Sequence, residues 1–175
     1  MEGGTRASPS GGGAGPEGVA RVRIAIVAAL VFVLDWVSKH WVATHMVAGE
    51  SLSVVPGFLD VTYVRNAGAA FGLLQGQTVL FLIITAVVIV LILTYGRRAA
   101  QESPLLGYAF GLQLGGALGN LLDRLLYGRV IDFIDFRVWP FVFNFADASI
   151  VIGGALFALV VLREPQTGTS GTGRA

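Results

Sequence analysis

Cysteine is absent from this 175-residue sequence, which excludes disulfide bridges, a thiol nucleophile and a cysteine-ligated metal site. The two histidines, His40 and His45, are too few for a histidine-rich metal centre, so we expect no metal and no other cofactor. Charged residues make up 13% of the chain, against about 25% in soluble domains. A net charge of +1 gives no indication of nucleic-acid binding. With a hydrophobic content of 54%, these absences indicate a membrane protein.

Long uncharged runs separate the few charges. No Asp, Glu, Lys or Arg lies between Arg65 and Arg97, and none lies between Glu102 and Asp123. A helix needs about 20 predominantly apolar residues to cross the hydrocarbon core of a bilayer. The sequence therefore predicts an all-α polytopic membrane protein, a single domain with four transmembrane helices. The spans are predicted at 21–44, 77–96, 104–126 and 145–163. Segments 1–20 and 164–175 are rich in Gly, Ser or Pro and are predicted to be flexible tails.

Local signals refine these spans. Ser103 followed by Pro104 is typical of a helix start, and Gly96 predicts the end of the span before it. Glycine recurs at every fourth residue of the third span and so predicts a smooth face that packs closely against another helix. These glycines are Gly107, Gly111, Gly115 and Gly119.

Arginine placement predicts the orientation in the membrane. Arginines precede the first span, lie between the second and third, and follow the fourth, so these segments share one side. The positive-inside rule assigns that side to the cytoplasm. We therefore expect both termini in the cytoplasm and the loops 45–76 and 127–146 on the outer face. In the first of these loops, β-branched and aromatic residues flank Pro56-Gly57, which predicts a short hairpin on the membrane surface.

Polar side chains near membrane depth are candidates for function because burying them is costly. Asp35 and Lys39, at positions i and i+4, share a helix face and can form an ion pair. Asn66 opens the small-residue segment NAGAAFG at 66–72, where another backbone can approach closely or an Asn-capped turn can form. One helical stripe of the third span carries Gly116, Asn120, Asp123 and Arg124. Structural roles explain these groups about as well as functional ones.

Asp132 and Asp147 are candidates for acid–base chemistry. The first lies among apolar residues of the second outer loop and the second begins the fourth span, and a short segment containing Pro140 separates them. Two carboxylates in contact share a proton, so that one can act as general base on water and the other as general acid toward a leaving amide. That is the chemistry of an aspartic protease. Alternatively, each Asp caps a helix or faces water.

The two acids are not expected to be equivalent. Asp147 lies at a helix N-terminus, where free N–H groups and the helix dipole favour negative charge, and Asn144 can add a hydrogen bond. Asp132 lies between Ile131 and Phe133, where desolvation favours the protonated form. We therefore expect Asp132 to carry the shared proton and Asp147 to be the resting base.

Five segments together resemble the lipoprotein signal peptidase (signal peptidase II) family of bacteria. They are Asp35 to Lys39, NAGAAFG at 66–72, GGALGNLLDR at 115–124, GRVIDF at 128–133 and FNFADA at 143–148. The resemblance implies an aspartic endopeptidase of the bacterial cytoplasmic (inner) membrane, with its active site at the outer face. Its implied substrate is a diacylglyceryl-modified prolipoprotein, cut just before the lipidated cysteine. Membrane lipids are the other expected partners, and we expect a monomer.

The resemblance also assigns roles by motif position. The catalytic dyad falls on Asp132 and Asp147, and the first outer loop would form a small extracytoplasmic β-cradle, with the second outer loop closing over the site. Framework, supporting or substrate-contacting roles fall to Asp35, Lys39, Asn66, Gly116, Asn120, Asp123, Arg124 and Asn144. The chain departs from the family pattern in its long N-terminal tail and in Asp135, which leaves open which Asp of the second loop faces Asp147.

Two other classes of function compete with this interpretation. Buried Asp, Arg and Lys also mark ion pathways, so a small proton-coupled transporter or channel subunit is one alternative. It predicts polar residues throughout the depth of the spans, whereas the second span carries no charge and the candidate acids lie near the outer ends. A membrane assembly factor without enzymatic activity is the other alternative, and the glycine face favours it.

Overall fold

The computed structural model describes residues 15–68 and 76–163, which are mostly helical with one small sheet. The helices are α1 (Pro16–His45), α2 (Thr78–Leu91), α3 (Arg97–Glu102), α4 (Pro104–Tyr127) and α5 (Phe145–Arg163). The strands are β1 (Ser51–Val55), β2 (Leu59–Asn66), β3 (Val130–Phe136) and β4 (Val142–Phe143). The predicted tails lie outside the described residues, apart from positions 15–20, where α1 begins.

The glycine face of α4 packs directly against α1. A Cβ atom on Gly111 would lie 2.6 Å from Cβ of Val27, and one on Gly115 would lie 2.6 Å from the carbonyl oxygen of Ala28. Such distances leave no room for a side chain, so the two backbones approach as closely as glycine allows. The prediction of a close-packing glycine face is confirmed. Gly116 lies on the neighbouring face of α4, where a Cβ atom would collide with the backbone of α5.

The second predicted span does not end at Gly96, so that prediction was wrong. Residues Ile92–Gly96 form a π-helix that joins α2 to α3, and the continuous helix reaches Glu102. Gly96 has ordinary right-handed helical torsions (φ −60°), so its backbone freedom is not used to stop the helix. Its missing side chain instead lets the ring of Phe110 from α4 pack against it. The next helix begins as predicted, with Pro104 in its first turn.

The four strands form one antiparallel sheet in the order β1-β2-β3-β4. The predicted hairpin is confirmed, because β1 and β2 pair across a turn at Pro56-Gly57. Gly57 has a φ of +76°, the left-handed conformation that a type II turn requires after proline. The segment between α4 and α5 adds β3 and β4, which the sequence did not predict, and places Val64 of β2 opposite Asp132 of β3.

Helix α1 contributes to two separate cores. Near its start, small and aliphatic side chains pack against α4 and the π-helical segment; at its end, they pack under the sheet. The first core contains Ala20, Ile24, Ala28, Ile92, Ala100 and Leu114, and the second contains Val42, Met46, Tyr63, Ile131 and Phe133. The second core holds β3 over the ends of the helices and thereby positions Asp132.

Within the described ranges, three helices are long and apolar enough to cross a membrane: Thr78–Glu102, Pro104–Tyr127 and Phe145–Arg163. No residue of α2 is buried in the protein, although the helix is almost entirely apolar. An exposed apolar surface of this kind suits contact with lipid. Three of the four predicted spans thus have the length and composition of membrane helices. Helix α1 is the longest, at 30 residues, but carries several charges.

Candidate active site

Asp132 lies on β3 and is almost completely buried, with 1% of its surface exposed. Each carboxylate oxygen accepts a hydrogen bond from an asparagine amide. Asn66, at the end of β2, donates to Oδ2 at 2.9 Å, and Asn144, just before α5, donates to Oδ1 at 2.6 Å. The register of the sheet brings Asn66 to this position, since β2 and β3 are paired to their ends. The carboxyl group is therefore held in one orientation from two sides.

Asn144 joins Asp132 to the start of α5. Its side-chain oxygen accepts a hydrogen bond from the backbone N–H of Asp147 at 2.9 Å, and its own carbonyl accepts one from Ala148 at 3.1 Å. This is the geometry of a helix N-cap, with Asp147 in the first turn. Because the same side chain donates to Asp132 and caps the turn that carries Asp147, the two acids are fixed relative to one another. We call Asp132 and Asp147 the acid pair.

Asn120 of α4 holds the other acid. Its side-chain amide donates to Oδ1 of Asp147 at 2.7 Å. Its side-chain oxygen accepts hydrogen bonds from Nζ of Lys39 at 3.0 Å and from the amide of Asn144 at 3.4 Å. A lysine ammonium can only donate, so the contact with Lys39 orients the asparagine with its NH₂ toward Asp147.

Lys39 is the centre of a buried polar network. Its ammonium lies 2.6 Å from Oδ2 of Asp35 and 3.1 Å from Oδ2 of Asp123, in addition to the contact with Asn120. Each carboxylate then accepts a second bond: Asp35 from the backbone N–H of Ala146 at 2.9 Å, and Asp123 from that of Ile131 at 3.1 Å. The network thus ties α1 and α4 to the segments that carry the acid pair. The predicted pair of Asp35 and Lys39 is confirmed.

The pKa of Asp132 is raised to about 7. Burial is the main cause, because it disfavours the ionised carboxylate, and the negative charge of Asp147 is the second. The hydrogen bonds from Asn66 and Asn144 and the charge of Lys39 act in the opposite direction but do not cancel these effects. Asp132 therefore titrates near neutral pH, where an ordinary aspartate is ionised.

Arg124 is near the acids but forms no ion pair with them among the described residues. Its guanidinium lies 4.9 Å from the ring centre of Phe81 on α2 and donates to the backbone carbonyl of Asn120 at 3.3 Å. The neighbouring Asp123 pairs with Lys39 instead. Arg124 therefore remains available to a carboxylate, carbonyl or phosphate group that enters the site.

A cavity of about 1070 Å³ opens at the acid pair and extends between α2, α4 and α5. At one end it is polar, and the remainder is lined mainly by aliphatic side chains. The polar end contains Arg65, Asn66, Asn120, Arg124, Asp132 and Asp147, and the aliphatic part includes Ile84, Val88, Ala117, Ile150 and Ile152. The loop Trp139–Phe141, between β3 and β4, also lines the cavity. Both acids therefore line a single, mostly apolar cavity.

Most of the residues predicted for the site converge on this cluster. Asn66, Asn120 and Asn144 contact the acid pair, Asp35, Lys39 and Asp123 form the network behind it, and Arg124 lines the cavity. Gly116 lies where α4 meets α5 and has no contact with the acids; its small size permits the helix contact. Of the segment NAGAAFG, positions 69–72 lie outside the described residues.

Asp135 occupies a different environment from Asp132. Its carboxylate accepts a hydrogen bond from the hydroxyl of Thr62 at 2.7 Å, and it does not line the cavity. It lies opposite Asp60 of β2, whose buried carboxylate pairs with Arg137. Asp60 was not predicted, although an acidic residue between Leu59 and Val61 was a signal for a buried ion pair.

The chain is also similar to known proteins. A family model described as Signal peptidase (SPase) II matches residues 27–163. The lipoprotein signal peptidase of Pelotomaculum thermopropionicum is 46% identical over 139 residues, which cover 79% of this chain and 91% of that protein. The one from Syntrophomonas wolfei is 50% identical over 135 residues, or 77% and 89% of the two chains. A bacterial membrane enzyme structure, solved by the in meso method at 2.3 Å resolution, matches with a TM-score of 0.78 and 36% identity. The match covers 86% of this chain and 94% of that one.

Proposed function

Because this chain belongs to the signal peptidase II family, we propose that Asp132 and Asp147 are the catalytic acids with which it removes signal peptides from prolipoproteins. Peptidase activity and the prolipoprotein substrate follow from the family and from the names of its relatives. The assignment of residues rests on this chain's own geometry. The observation that carries it is Asn144, which donates to one acid and caps the helix turn of the other.

We assign different tasks to the two acids. Asp132 holds the shared proton in the resting enzyme, in keeping with its pKa of about 7, and Asp147 is the general base. Asp147 takes a proton from water as the water oxygen bonds to the scissile carbonyl carbon. Asp132 gives its proton to the reacting amide, and the C–N bond then breaks to release the new amine. Asn66, Asn120 and Asn144 hold the carboxyl groups in place during these transfers.

The proposed membrane arrangement has four spans, with α1 as the fourth membrane helix. Its glycine-mediated contact with α4 supports this arrangement, because such contacts suit helices packed in lipid. The placement of arginines supports cytoplasmic termini and a sheet on the outer face. The acid pair then lies at the outer ends of the spans, where a membrane-anchored signal peptide ends.

The lipid on the substrate is part of the proposal. A prolipoprotein whose cysteine carries diacylglycerol brings two acyl chains to the scissile bond, and the aliphatic part of the cavity begins next to the acid pair. We therefore propose that the acyl chains enter between the helices while the peptide lies under the loop Trp139–Phe141. Cleavage then occurs just before the lipidated cysteine, by a monomer surrounded by membrane lipids.

Substitution of three aspartates by asparagine tests the catalytic assignment. Asp132→Asn and Asp147→Asn should each reduce cleavage of a purified diacylglyceryl prolipoprotein to background, while both proteins remain inserted and folded. Asp135→Asn is the matched control, because it changes the same chemical group on the same strand outside the cavity, and it should retain activity. Substantial cleavage by either of the first two variants, or loss only in the third, would reject the acid pair.

A further inference from the structure

The aliphatic part of the cavity contains two polar side chains that catalysis does not use. They are Gln113 on α4 and Thr85 on α2, both partly buried. Gln113 lies two helical turns from Asn120 on the face of α4 that lines the cavity, together with Ala117 and Arg124. At 1.5 Å per residue, Gln113 is about 10 Å further along the helix than Asn120, the residue that contacts Asp147.

Neither side chain has a hydrogen-bond partner among residues 15–68 and 76–163. Thr85 differs in this from Thr94, whose hydroxyl donates to the carbonyl of Val90 four residues earlier, as threonines in helices commonly do. A polar group that faces an apolar space without a partner loses its water when a ligand enters, which is unfavourable unless the ligand supplies a partner. The part of the cavity around Gln113 therefore suits a lipid that carries an acceptor.

We propose that Gln113 and Thr85 form a subsite that recognises the ester carbonyls of the substrate's diacylglyceryl group, an inference that rests on the proposed function. Both side chains can donate a hydrogen bond, and an ester carbonyl can only accept one. The path from the scissile carbonyl carbon through the cysteine sulfur to the nearer ester carbonyl has about eight covalent bonds, or about 10 Å when extended. That length matches the separation along α4 between Gln113 and Asn120, the residue that contacts Asp147.

This subsite gives the enzyme a means of distinguishing a diacylglyceryl group from other apolar attachments. Acyl chains alone fill an aliphatic cavity without any defined position along it. Hydrogen bonds from Gln113 and Thr85 set the depth of the glyceryl group in the cavity, and therefore the peptide bond that reaches the acid pair. Gln113 and Thr85 are thus specificity-determining residues and not catalytic ones.

The test compares two substrates that differ only at the ester positions. One carries diacylglyceryl on the cysteine, and the other carries dialkylglyceryl, in which ether links remove the carbonyl acceptors. Both are assayed in detergent without added phospholipid, so that the substrate is the only source of ester groups. Wild-type enzyme should show a lower KM for the ester substrate, by about two- to tenfold for each of the two hydrogen bonds. Gln113→Leu and Thr85→Val should each remove part of this preference by raising KM for the ester substrate.

Gln101→Leu is the matched control, since Gln101 is an exposed glutamine on α3, and it should retain the wild-type preference. An unchanged ester preference in Gln113→Leu would refute the proposal. So would an equal loss of activity on both substrates, which would indicate a role in packing or in contact with the peptide. The proposed function is judged separately, by wild-type cleavage of the ester substrate and its loss in Asp132→Asn.

Discussion

Replacing Lys39 by methionine removes the positive charge at the centre of the buried network. Lys39 is the only lysine in the sequence, and its side chain is 3% exposed. In its absence the carboxylates of Asp35 and Asp123 lie buried without their cationic partner. Removing one member of a buried ion pair costs about 3 to 5 kcal/mol, because the remaining charge is uncompensated. We therefore expect Lys39→Met to be strongly destabilised even though methionine fills a similar volume.

The assay is thermal unfolding of the purified protein in detergent. For a chain of this size, about 1 kcal/mol corresponds to roughly 2 to 4 °C, so Tm should fall by roughly 6 to 20 °C. The exposed neighbour His40 provides a control, and His40→Gln should shift Tm little. The double variant Lys39→Met with Asp35→Asn, which also neutralises one acid, should recover part of the lost Tm. If Lys39→Met alone has the wild-type Tm, the interpretation of Lys39 as a structural cation is refuted.

The same substitution should also reduce turnover at temperatures where the variant is folded. Without the ammonium, only the longer hydrogen bond from the amide of Asn144, at 3.4 Å, keeps the side-chain oxygen of Asn120 facing away from Asp147. A flipped amide would present an oxygen to the carboxylate and remove the hydrogen bond of 2.7 Å. We expect kcat to fall more than KM rises, and an unchanged kcat would contradict this coupling.

Three further predictions concern pH, packing and chelation. Because the pKa of Asp132 is raised to about 7 and the mechanism needs its proton, kcat/KM should fall as pH rises through about 7; a flat profile there would contradict the assignment. Gly115→Ala should lower Tm, since overpacking costs about 1 to 3 kcal/mol and its Cβ would lie 2.6 Å from a backbone oxygen, whereas Gly154→Ala, in open space, should not. EDTA should leave cleavage unchanged; inhibition reversed by added metal would count against the mechanism.

Features that depend on short stretches of sequence were predictable. The glycine face of α4, the hairpin around Gly57 and the pair of Asp35 and Lys39 each follow from residues within a few positions of one another. Their spacing matches the period of a helix or the geometry of a turn, and no distant partner is needed to infer them. The same is true of the three apolar helices, whose length and composition together suit membrane spans.

Features that depend on distant partners were not predictable from the residues alone. Strand β3 pairs with β2 across more than sixty positions of sequence (Asn66 with Val130 at one end), and no local pattern reveals that pairing. The ion pair of Lys39 with Asp123 likewise depends on how α1 and α4 pack. Gly96, which local rules interpret as a stop signal, instead ends the π-helix Ile92–Gly96 inside a continuous helix, and the ring of Phe110 from α4 packs against it.

The contacts of Asp35 and Lys39 also bear on the order in which the chain assembles in the membrane. In the proposed four-span arrangement, α1 emerges first. Asp35 and Lys39 pair with each other within α1, but their other partners belong to α4 and to the start of α5, which are synthesised last. An ionised side chain costs about 2.5 to 3.5 kcal/mol for insertion at the centre of an isolated membrane helix, so charges within α1 weaken its insertion. In this arrangement, α1 is therefore stable across the bilayer only when Asp123 and the N-terminus of α5 are present. Chains truncated before α4 should accordingly fail to hold α1 across the membrane.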